Sequence, residues 1–213
     1  MKGAMLNRDK LLNLAEEQAS NGGEPVIQAS VPYIVDMTLE GSSPMLFHRY
    51  NTDEVEAKAK APKGSKAKKV DNLESYVYRN ADMEISIPGE YLRGSIINAS
   101  KFQQDPRSPR KSAMDLFRAG IISLNDLSSL GITKWDYEDR RRAMVQRGAV
   151  TRTRPAIKAG WRADFQFMVQ LSDYIDPVFL RRVIDDAGRL VGLGDMRPTF
   201  GRFVVVKWEL SQP

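Results

Sequence analysis

The sequence predicts an α+β fold, a ferredoxin-like (RRM-like) sheet with helices on one face and long insertions. In the C-terminal part, a strand at 164–172 precedes an amphipathic helix at 176–188 and a further strand at 202–210. In the N-terminal half, a strand at 26–39 is followed by a helix at 90–102. Helical crossovers between strands are right-handed and pack on one sheet face, so two such units predict one sheet with its helices on the same side.

The first strand is indicated by the alternation of apolar and polar residues with period two. Apolar side chains at alternate positions from Ile27 to Leu39 face one way, and the polar ones between them face the other. A short helix is predicted before this strand at 5–18, and the breaker NGGEP at 21–25 separates the two.

Two segments are predicted to be insertions into one domain that spans 1–213. Residues 52–72 are lysine-rich and poor in apolar residues, so they cannot bury enough surface to offset the entropy of ordering. We expect a flexible insertion there, either a binding element or a solvated linker. The second insertion, at 103–150, begins with a loop-like stretch. The hydrophobic period of 113–150 does not distinguish a helix from a strand.

Between the insertions, residues 75–89 predict a strand or hairpin that ends at Pro88. The following helix, 90–102, has apolar residues at helical spacing. Gly94 inside this helix costs about 1 kcal/mol relative to alanine, so we expect close packing around it.

The C-terminal unit carries clear start and stop signals. Asp176 is expected to cap the helix, with Pro177 at its first position and Gly188 in a left-handed conformation at its end. The apolar stripe of this helix consists of Phe179, Leu180, Val183, Ile184 and Ala187. One face of the last strand is expected to contain Val204, Val206, Trp208 and Leu210.

The composition excludes several kinds of site. The absence of cysteine excludes disulfides, thiolate metal sites and cysteine nucleophiles, and it fits a cytoplasmic protein. The one histidine, His48, makes a multi-histidine metal site impossible within one chain. No apolar run approaches the roughly 20 residues that span a bilayer. We therefore expect no metal, no cofactor and no membrane partner.

The net charge of +5 is concentrated in a few segments. Lysines cluster at 56–70, and arginines cluster at 139–155 and again at 191–202. Concentrated positive charge attracts phosphates in a salt-dependent way. Nucleic acid is favoured over a membrane surface, because no basic amphipathic helix with an aromatic face is present.

The segment 191–202 is a basic loop punctuated by glycines. Glycines let backbone amides approach a phosphate, and neighbouring arginines can clamp it. The spacing differs from the dinucleotide-binding pattern, since this loop follows a helix and does not open one. The alternative is a turn that needs glycine for its geometry, with arginines solvated or paired to an aspartate. The residues concerned are Gly192, Gly194, Asp195, Arg197, Gly201 and Arg202.

The phrase IPGEYLRG, from Ile87 to Gly94, and the late glycine loop together resemble the RAMP superfamily of CRISPR RNA-binding proteins, especially the backbone subunits that coat guide RNA. In that family a phrase of the type IPGSSLKG opens the first helix of a ferredoxin-like core. This chain departs from the family in its sparser glycine loop and shorter length. It is also similar to small proteins of bacteriophages and prophages, which implies a phage- or prophage-borne relative in the cytoplasm of a bacterial host.

The resemblance implies non-enzymatic binding of single-stranded DNA or RNA through its phosphate backbone, by copies that self-associate along the strand. The groove residues expected are Arg93, Lys101, Arg152, Arg154, Arg162, Arg197 and Arg202, with the glycines Gly192, Gly194 and Gly201. A flexible thumb would contain Lys58, Lys60, Lys63, Lys66, Lys68 and Lys69. Aromatic residues that would stack on bases or else pack in the core are Tyr91, Trp161 and Phe200.

Two other function classes stay open at this point. A RAMP-type RNA endonuclease would use His48 as general base, beside Arg49 and Tyr50, although a lone histidine also suits a structural role. Asp36 lies in the first strand with Glu40 nearby, but no second carboxylate pair at metal-binding spacing supports a two-metal nuclease. The third class is a phage assembly or inhibitor protein that acts through protein contacts, since one fold hosts many functions.

Overall fold

The structure is a computed structural model. The residues that it describes are 31–60, 62, 72–145 and 148–213. Residues Pro32–Pro213 form one compact unit. The helix expected at 5–18, the beginning of the 26–39 strand, and Lys63, Lys66, Lys68 and Lys69 lie outside the described residues. The prediction of one domain over 1–213 stays a prediction.

The strands, in chain order, are β1 (Tyr33–Gly41), β2 (Met45–Leu46), β3 (Tyr78–Arg79), β4 (Ile85–Pro88), β5 (Gln104–Asp105), β6 (Ser108–Ser112), β7 (Ile121–Ser123), β8 (Leu127–Ser129), β9 (Tyr137–Val145), β10 (Gly148–Ile157), β11 (Arg162–Val169) and β12 (Phe203–Ser211). The α-helices are α1 (Thr52–Lys60), α2 (Gly89–Ser100), α3 (Met114–Gly120) and α4 (Pro177–Asp186). A 3₁₀ helix covers Leu73–Tyr76, and a π-helical turn covers Ala187–Val191.

The main sheet has the strand order β12-β1-β11-β7, and its neighbours are antiparallel. Strand β1 is central, with Tyr33 opposite Val169 of β11 and Gly41 opposite Phe203 of β12. Helix α2 lies between β1 and β7 in the chain, and α4 lies between β11 and β12. Numbered in chain order, the four strands lie in the order 4-1-3-2 with a helix in each half. The predicted α+β, ferredoxin-like fold is therefore confirmed.

The hydrophobic core lies between this sheet and its two helices. Strand β1 alternates as predicted, with Val35, Met37 and Leu39 buried. The partners of these side chains on β11 and on the helices include Phe165, Phe167, Val169, Leu92, Ile96, Leu180, Val183 and Ile184. Because side chains alternate across a strand, the residues between the buried ones on β1 and β11 form the opposite face of the sheet.

Strand β12 departs from the alternation that the sequence predicts. Its pairing with β1 shifts between Thr38 and Leu39, because Lys207 is opposite Thr38 whereas Val205 is opposite Leu39. Val206 is thus an extra residue, a β-bulge, and it changes which side chains face the core. Phe203 and Val205 pack against the core before the bulge and Trp208 after it, while Val204 and Val206 are half exposed. The predicted single face for Val204, Val206, Trp208 and Leu210 is therefore wrong.

The first predicted insertion is more ordered than its composition indicates. Residues 52–60 form helix α1, and the 3₁₀ helix follows at 73–76. The Asn51 side chain accepts a hydrogen bond from the Glu54 amide at 3.2 Å, which is how an N-cap satisfies the first turn. Alanine, lysine and glutamate are strong helix formers as well as common residues of disordered segments. The expected loop at 52–72 therefore begins with a helix, and its flexibility stays a prediction.

The second predicted insertion, 103–150, contains part of the core. Strand β7 lies within it and forms an edge of the main sheet, so the expectation of an insertion over the whole range is wrong. The rest comprises the β5-β6 hairpin, helix α3, strand β8 and the first strand of a long β9-β10 hairpin. The β9-β10 hairpin pairs in turn with β2, where Ile157 is opposite Met45.

The motif IPG has a structural role at the junction of β4 and α2. Strand β4 ends at Pro88 and the helix begins at the next residue, Gly89. A Cβ atom at Gly89 would overlap the side chain of Ser123 and the carbonyl oxygen of Asn125. Glycine therefore lets the start of α2 approach the β7-β8 connection closely.

Helix α4 begins as the sequence predicts and ends differently. The Asp176 carboxylate accepts from the amides of Val178 at 2.9 Å and Phe179 at 2.8 Å, with Pro177 in the first turn. The residue with positive φ at the end of the π-helical turn is Gly192, at +80°, and not Gly188. Gly188 is required for a different reason, because a Cβ there would overlap the Phe203 carbonyl oxygen of β12.

Asp176→Ala should lower the free energy of unfolding by about 1 kcal/mol, because two amides of the first turn lose their acceptor. Chemical denaturation monitored by circular dichroism measures this change. Asp173→Ala, three residues earlier and exposed, is the matched control and should change stability by less than about 0.5 kcal/mol. Equal effects of the two variants would contradict the capping role.

Candidate nucleic-acid interface

The face of the main sheet that points away from the helices is polar and internally paired. Thr38 Oγ1 donates to Asp164 at 2.5 Å, Gln166 Nε2 donates to Asp36 at 2.8 Å, and Arg162 Nε donates to Glu40 at 2.7 Å. These pairs are directly opposite each other on β1 and β11. The strand residues of this face are thus hydrogen-bonded among themselves, with carboxylates in three pairs.

The electrostatic character of this face is acidic. The Lys207 ammonium donates to the Glu209 carboxylate, which raises the pKa of Lys207, and the charges of Asp164 and Asp36 act in the same direction. Negative charge that stabilises a lysine cation disfavours a phosphate at the same place. The sheet face is therefore a poor surface for the backbone of a nucleic acid.

The opposite side of the molecule contains a groove along helix α2, here called the α2 groove. Helix α2 contributes one stripe of its surface to this groove, Tyr91, Gly94, Asn98 and Lys101, at the three- and four-residue spacing of a helix. Two adjoining depressions of about 310 and 550 Å³ form it and share Asn98, Gly194, Asp195 and Arg197. The loop at 194–198 is one wall of the groove.

Aromatic rings and cations line the α2 groove together. At one end, Tyr78 and Tyr91 meet edge to face with ring centroids 5.7 Å apart, and the Arg49 guanidinium lies 4.6 Å from the centroid of the Tyr78 ring. At the other end, Lys101 Nζ lies 4.8 Å from the centroid of the Phe102 ring, which is 55% exposed. This combination of cations and open aromatic faces is typical of surfaces that bind single-stranded nucleic acid.

Two arginines of the groove influence the pKa of Tyr91. Burial raises the pKa of Tyr91 well above its ordinary value, and its hydrogen bond with Tyr78 acts in the same direction, whereas Arg49 and Arg197 act against it. The Tyr91 hydroxyl consequently stays protonated at neutral pH, 3.1 Å from the Tyr78 hydroxyl. Both hydroxyls can therefore donate or accept hydrogen bonds beside a bound strand.

The glycine loop is fixed to its neighbours by backbone hydrogen bonds. The amide of Leu193 donates to Gly201 at 2.8 Å, that of Gly201 donates to Pro44 at 2.8 Å, and that of Asp195 donates to Leu46 at 2.9 Å. The buried Ser95 Oγ of α2 donates to the Gly192 carbonyl at 2.9 Å. The loop is thus held against both β2 and α2.

The φ angles of Gly192, Gly194 and Gly201 are +80°, +74° and +72°, a region that other residues avoid. A Cβ atom at Gly201 would also overlap the Leu193 carbonyl oxygen. These observations support the alternative interpretation, in which the turn needs glycine for its backbone geometry.

A buried ion pair joins the glycine loop to the β9-β10 hairpin. Arg154 of β10 pairs with Asp195, and their side chains are 8% and 29% exposed. Beside this pair, the Arg141 guanidinium lies 4.5 Å from the centroid of the Phe200 ring and pairs with Asp139. The pair neutralises Asp195, so the aspartate in the groove wall does not oppose a phosphate with a full charge.

The sequence-predicted site residues fall into separate groups. Lys101, Gly194 and Arg197 line the α2 groove, and Gly192 and Gly201 shape the loop. Lys60 is exposed on α1 and its ammonium lies 3.8 Å from the Glu56 carboxylate, and only the backbone of Lys58 is described. Arg152 lies on β10, directly opposite Arg141. Arg202 lies in another depression, beside Arg181 and Arg182 of α4.

Four of the predicted residues have structural positions outside the groove. The Arg93 guanidinium donates to the carbonyls of Ile121 and Arg118, so it fastens α2 to the β7 region. Arg154 is buried in its ion pair, and Arg162 lies on the acidic sheet face. Trp161 is 7% exposed and its indole donates to the Ser43 carbonyl at 3.1 Å, so no ring face is open for a base.

Sequence reasoning missed several groove residues. Tyr78, Asn98 and Phe102 were not candidates, and Arg49 was considered only as a companion of His48. The groove contains Tyr91 but not Tyr50, which is 72% exposed elsewhere. The spacing of Tyr91, Asn98 and Lys101 on one helix face was the available signal. Nothing in the sequence places Tyr78 beside it, because that contact depends on the tertiary fold.

In the part of the chain that the structure describes, no group of three or more acidic or histidine side chains is arranged to hold a metal ion. No helix of the same part is both long and apolar enough to cross a bilayer.

Comparison with solved structures finds a chain of similar fold. A chain of the cryo-EM structure of the Type III-B Cmr-beta bound to cognate target RNA aligns with a TM-score of 0.50 and 12% identity. The alignment covers 96% of this chain and 66% of that one, so this chain spans just under two thirds of the other's length. The likeness shows a fold shared with that chain, in agreement with the α+β, ferredoxin-like fold expected from the sequence.

A chain of the crystal structure of the Csm3-Csm4 subcomplex in the type III-A CRISPR-Cas interference complex aligns with a TM-score of 0.39 and 12% identity, over 86% of this chain and 80% of that one. No family model and no curated protein matches the sequence.

Asp195→Asn should lower the free energy of unfolding by about 3 kcal/mol, because the buried Arg154 cation loses its counter-charge. Urea denaturation measures the loss. Glu40→Gln makes the same chemical change in the pair with Arg162, which is 67% exposed, and should cost less than about 1 kcal/mol. A smaller loss for Asp195→Asn than for Glu40→Gln would contradict the structural role of the buried pair.

Proposed function

We propose that this protein binds single-stranded nucleic acid without cutting it, and that the phosphate backbone lies in the α2 groove. The observation that carries the proposal is the separation of charge between two sides of the fold. Arg49, Lys101 and Arg197 lie along the groove, while the carboxylates of the sheet face are on the other side. Phosphates bind where cations concentrate, and exposed rings add stacking that does not depend on base sequence.

The dimensions of the groove suit a short stretch of one strand. Tyr91 and Lys101 are ten residues apart along α2, which corresponds to about 15 Å of helix. A stacked strand advances about 3.4 Å per nucleotide, so this length matches roughly four nucleotides. The rings of Tyr91 and Phe102 can stack only on bases whose faces are open, and a duplex hides those faces. The groove therefore favours a single strand over a duplex.

The shared fold supports the same proposal. The Type III-B Cmr-beta structure with a similar fold was determined with cognate target RNA bound. RNA is accordingly the first ligand to test, with DNA of the same sequence beside it.

We further propose that several copies bind along one strand. Among the residues that the structure describes, β12 is an edge strand of the main sheet, and its Val204, Val206 and Leu210 are each about half exposed. Exposed apolar side chains on an unpaired strand edge suit contact with another chain. Light scattering with strands of increasing length should show the number of bound copies rising in steps with length.

Removal of one groove cation should weaken binding and reduce its salt dependence. Arg197→Gln and Lys101→Gln should each lower the slope of log affinity against log salt concentration by about 0.7, the value for one phosphate contact on a single strand. Gel shifts or fluorescence anisotropy with a single-stranded 20-mer at several salt concentrations measure the slope. Arg162→Gln removes the same charge from the sheet face and should leave the slope unchanged.

Three results would contradict the binding proposal. The first is that the wild-type protein shows no salt-sensitive binding to single-stranded RNA or DNA. The second is that it prefers duplex. The third is that Arg162→Gln reduces the slope as much as Arg197→Gln, which would place the strand on the sheet face.

An RNA endonuclease is the second candidate, because His48 lines the same groove. Its ring lies 4.6 Å from that of Tyr76, centroid to centroid, and Glu90 and Tyr91 line the same depression. Labelled RNA incubated with the wild-type protein should stay intact under the binding proposal. Cleavage that disappears in His48→Ala would establish the nuclease, and uncut RNA would eliminate it.

A further inference from the structure

The structure shows no steric or backbone reason for a glycine at position 94. It lies inside helix α2, where glycine costs about 1 kcal/mol relative to alanine. Its φ is not positive, and a Cβ atom built there would meet no other atom within 4 Å. The expectation of close packing around Gly94 is therefore wrong. Neither backbone conformation nor crowding explains why this position lacks a side chain.

The open space beside Gly94 is the smaller depression of the α2 groove, about 310 Å³. Its floor reaches the hydrophobic core, because Met45, Phe47 and Ile87 line it and each is buried. The Tyr78 and Tyr91 rings, perpendicular to each other, form its aromatic wall. An apolar floor with an aromatic wall suits a flat, weakly polar group, and a phosphate is better placed at the cationic rim.

The rim of the depression carries the polar groups. Arg49, Arg197 and Asn98 lie around it, and the Asn98 amide nitrogen donates to the Gly94 carbonyl at 2.8 Å. The carboxylates nearby are engaged, since Glu90 pairs with Arg93 at 3.3 Å and Asp195 pairs with Arg154. Cations at the rim and apolar surface below match one nucleotide, with its phosphate outside and its base inside.

We propose that Gly94 keeps this depression open so that it takes one unstacked base of the bound strand. This inference rests on the proposed function and adds a base-binding pocket to the backbone contacts of the groove. The volume is at the lower end of the range for small-molecule pockets, which suits one heterocycle and not a run of stacked bases. Stacking and burial of that base add affinity that an abasic strand cannot obtain.

The test compares a single-stranded homopolymer of eight nucleotides with an abasic strand of equal length, by fluorescence anisotropy at one salt concentration. Gly94→Leu fills the depression, and Ala119→Leu, which adds a leucine at an exposed position of α3 outside the α2 groove, is the control. Gly94→Leu should weaken binding of the base-containing strand about tenfold and change binding of the abasic strand less than twofold. Ala119→Leu should stay within about twofold of wild type on both strands.

Gly94→Leu should keep or raise the melting temperature, because it removes a helix glycine where no atom is in the way. If Gly94→Leu does not fold, Gly94→Met fills the same space with a more flexible side chain. Unchanged affinity of the filled variant for the base-containing strand would overturn the pocket and leave the proposed function standing. Equal weakening for both strands would also overturn it. If the wild-type protein binds neither strand, the proposed function itself fails.

Discussion

The α2 groove depends on the buried ion pair between Arg154 and Asp195. Arg154 belongs to the β9-β10 hairpin and Asp195 to the glycine loop, so the pair joins two elements that are far apart in sequence. The Asp195 amide also bonds to the Leu46 carbonyl of β2, and β2 pairs with β10. These contacts fix the wall of the groove at the distance from α2 that leaves a channel. Removal of one partner of a buried ion pair costs more folding free energy than the intact pair contributes. This wall is therefore sensitive to single substitutions.

The ferredoxin-like framework explains why the two sides of the sheet differ so clearly. Its helices cover one face of the main sheet, and the other face carries the paired acids of β1 and β11. Nucleic-acid binders of RRM type use aromatic side chains on the open sheet face. Here that face lacks aromatic residues on β1 and β11, and the rings lie instead along α2, at Tyr91 and Phe102. The fold is thus compatible with binding on the helix side, between α2 and the glycine loop.

Local patterns in the sequence predict the parts of the fold that depend on local physics. The period of β1, the Asp176 cap of α4 and the ferredoxin-like sheet with helices on one face follow from alternation, capping and crossover handedness, but the sequence did not predict β7 or the strand order. The bulge at Val206 could not be predicted, because it depends on pairing with β1. Helix α1 was missed because alanine, lysine and glutamate suit both a helix and a disordered segment. The groove was only partly predictable, since Tyr78 comes from a distant segment, and arginine alone does not indicate whether it binds a carboxylate or a phosphate.

The central claim is that a single strand lies along α2. Photocross-linking tests it most directly, with an oligonucleotide that carries 4-thiouracil or 5-iodouracil and with mass spectrometry of the cross-linked peptides. The account predicts cross-links at Tyr78, Tyr91 and Phe102, the rings of the α2 groove. Cross-links confined to the sheet face, for example at residues 207–209, would contradict it.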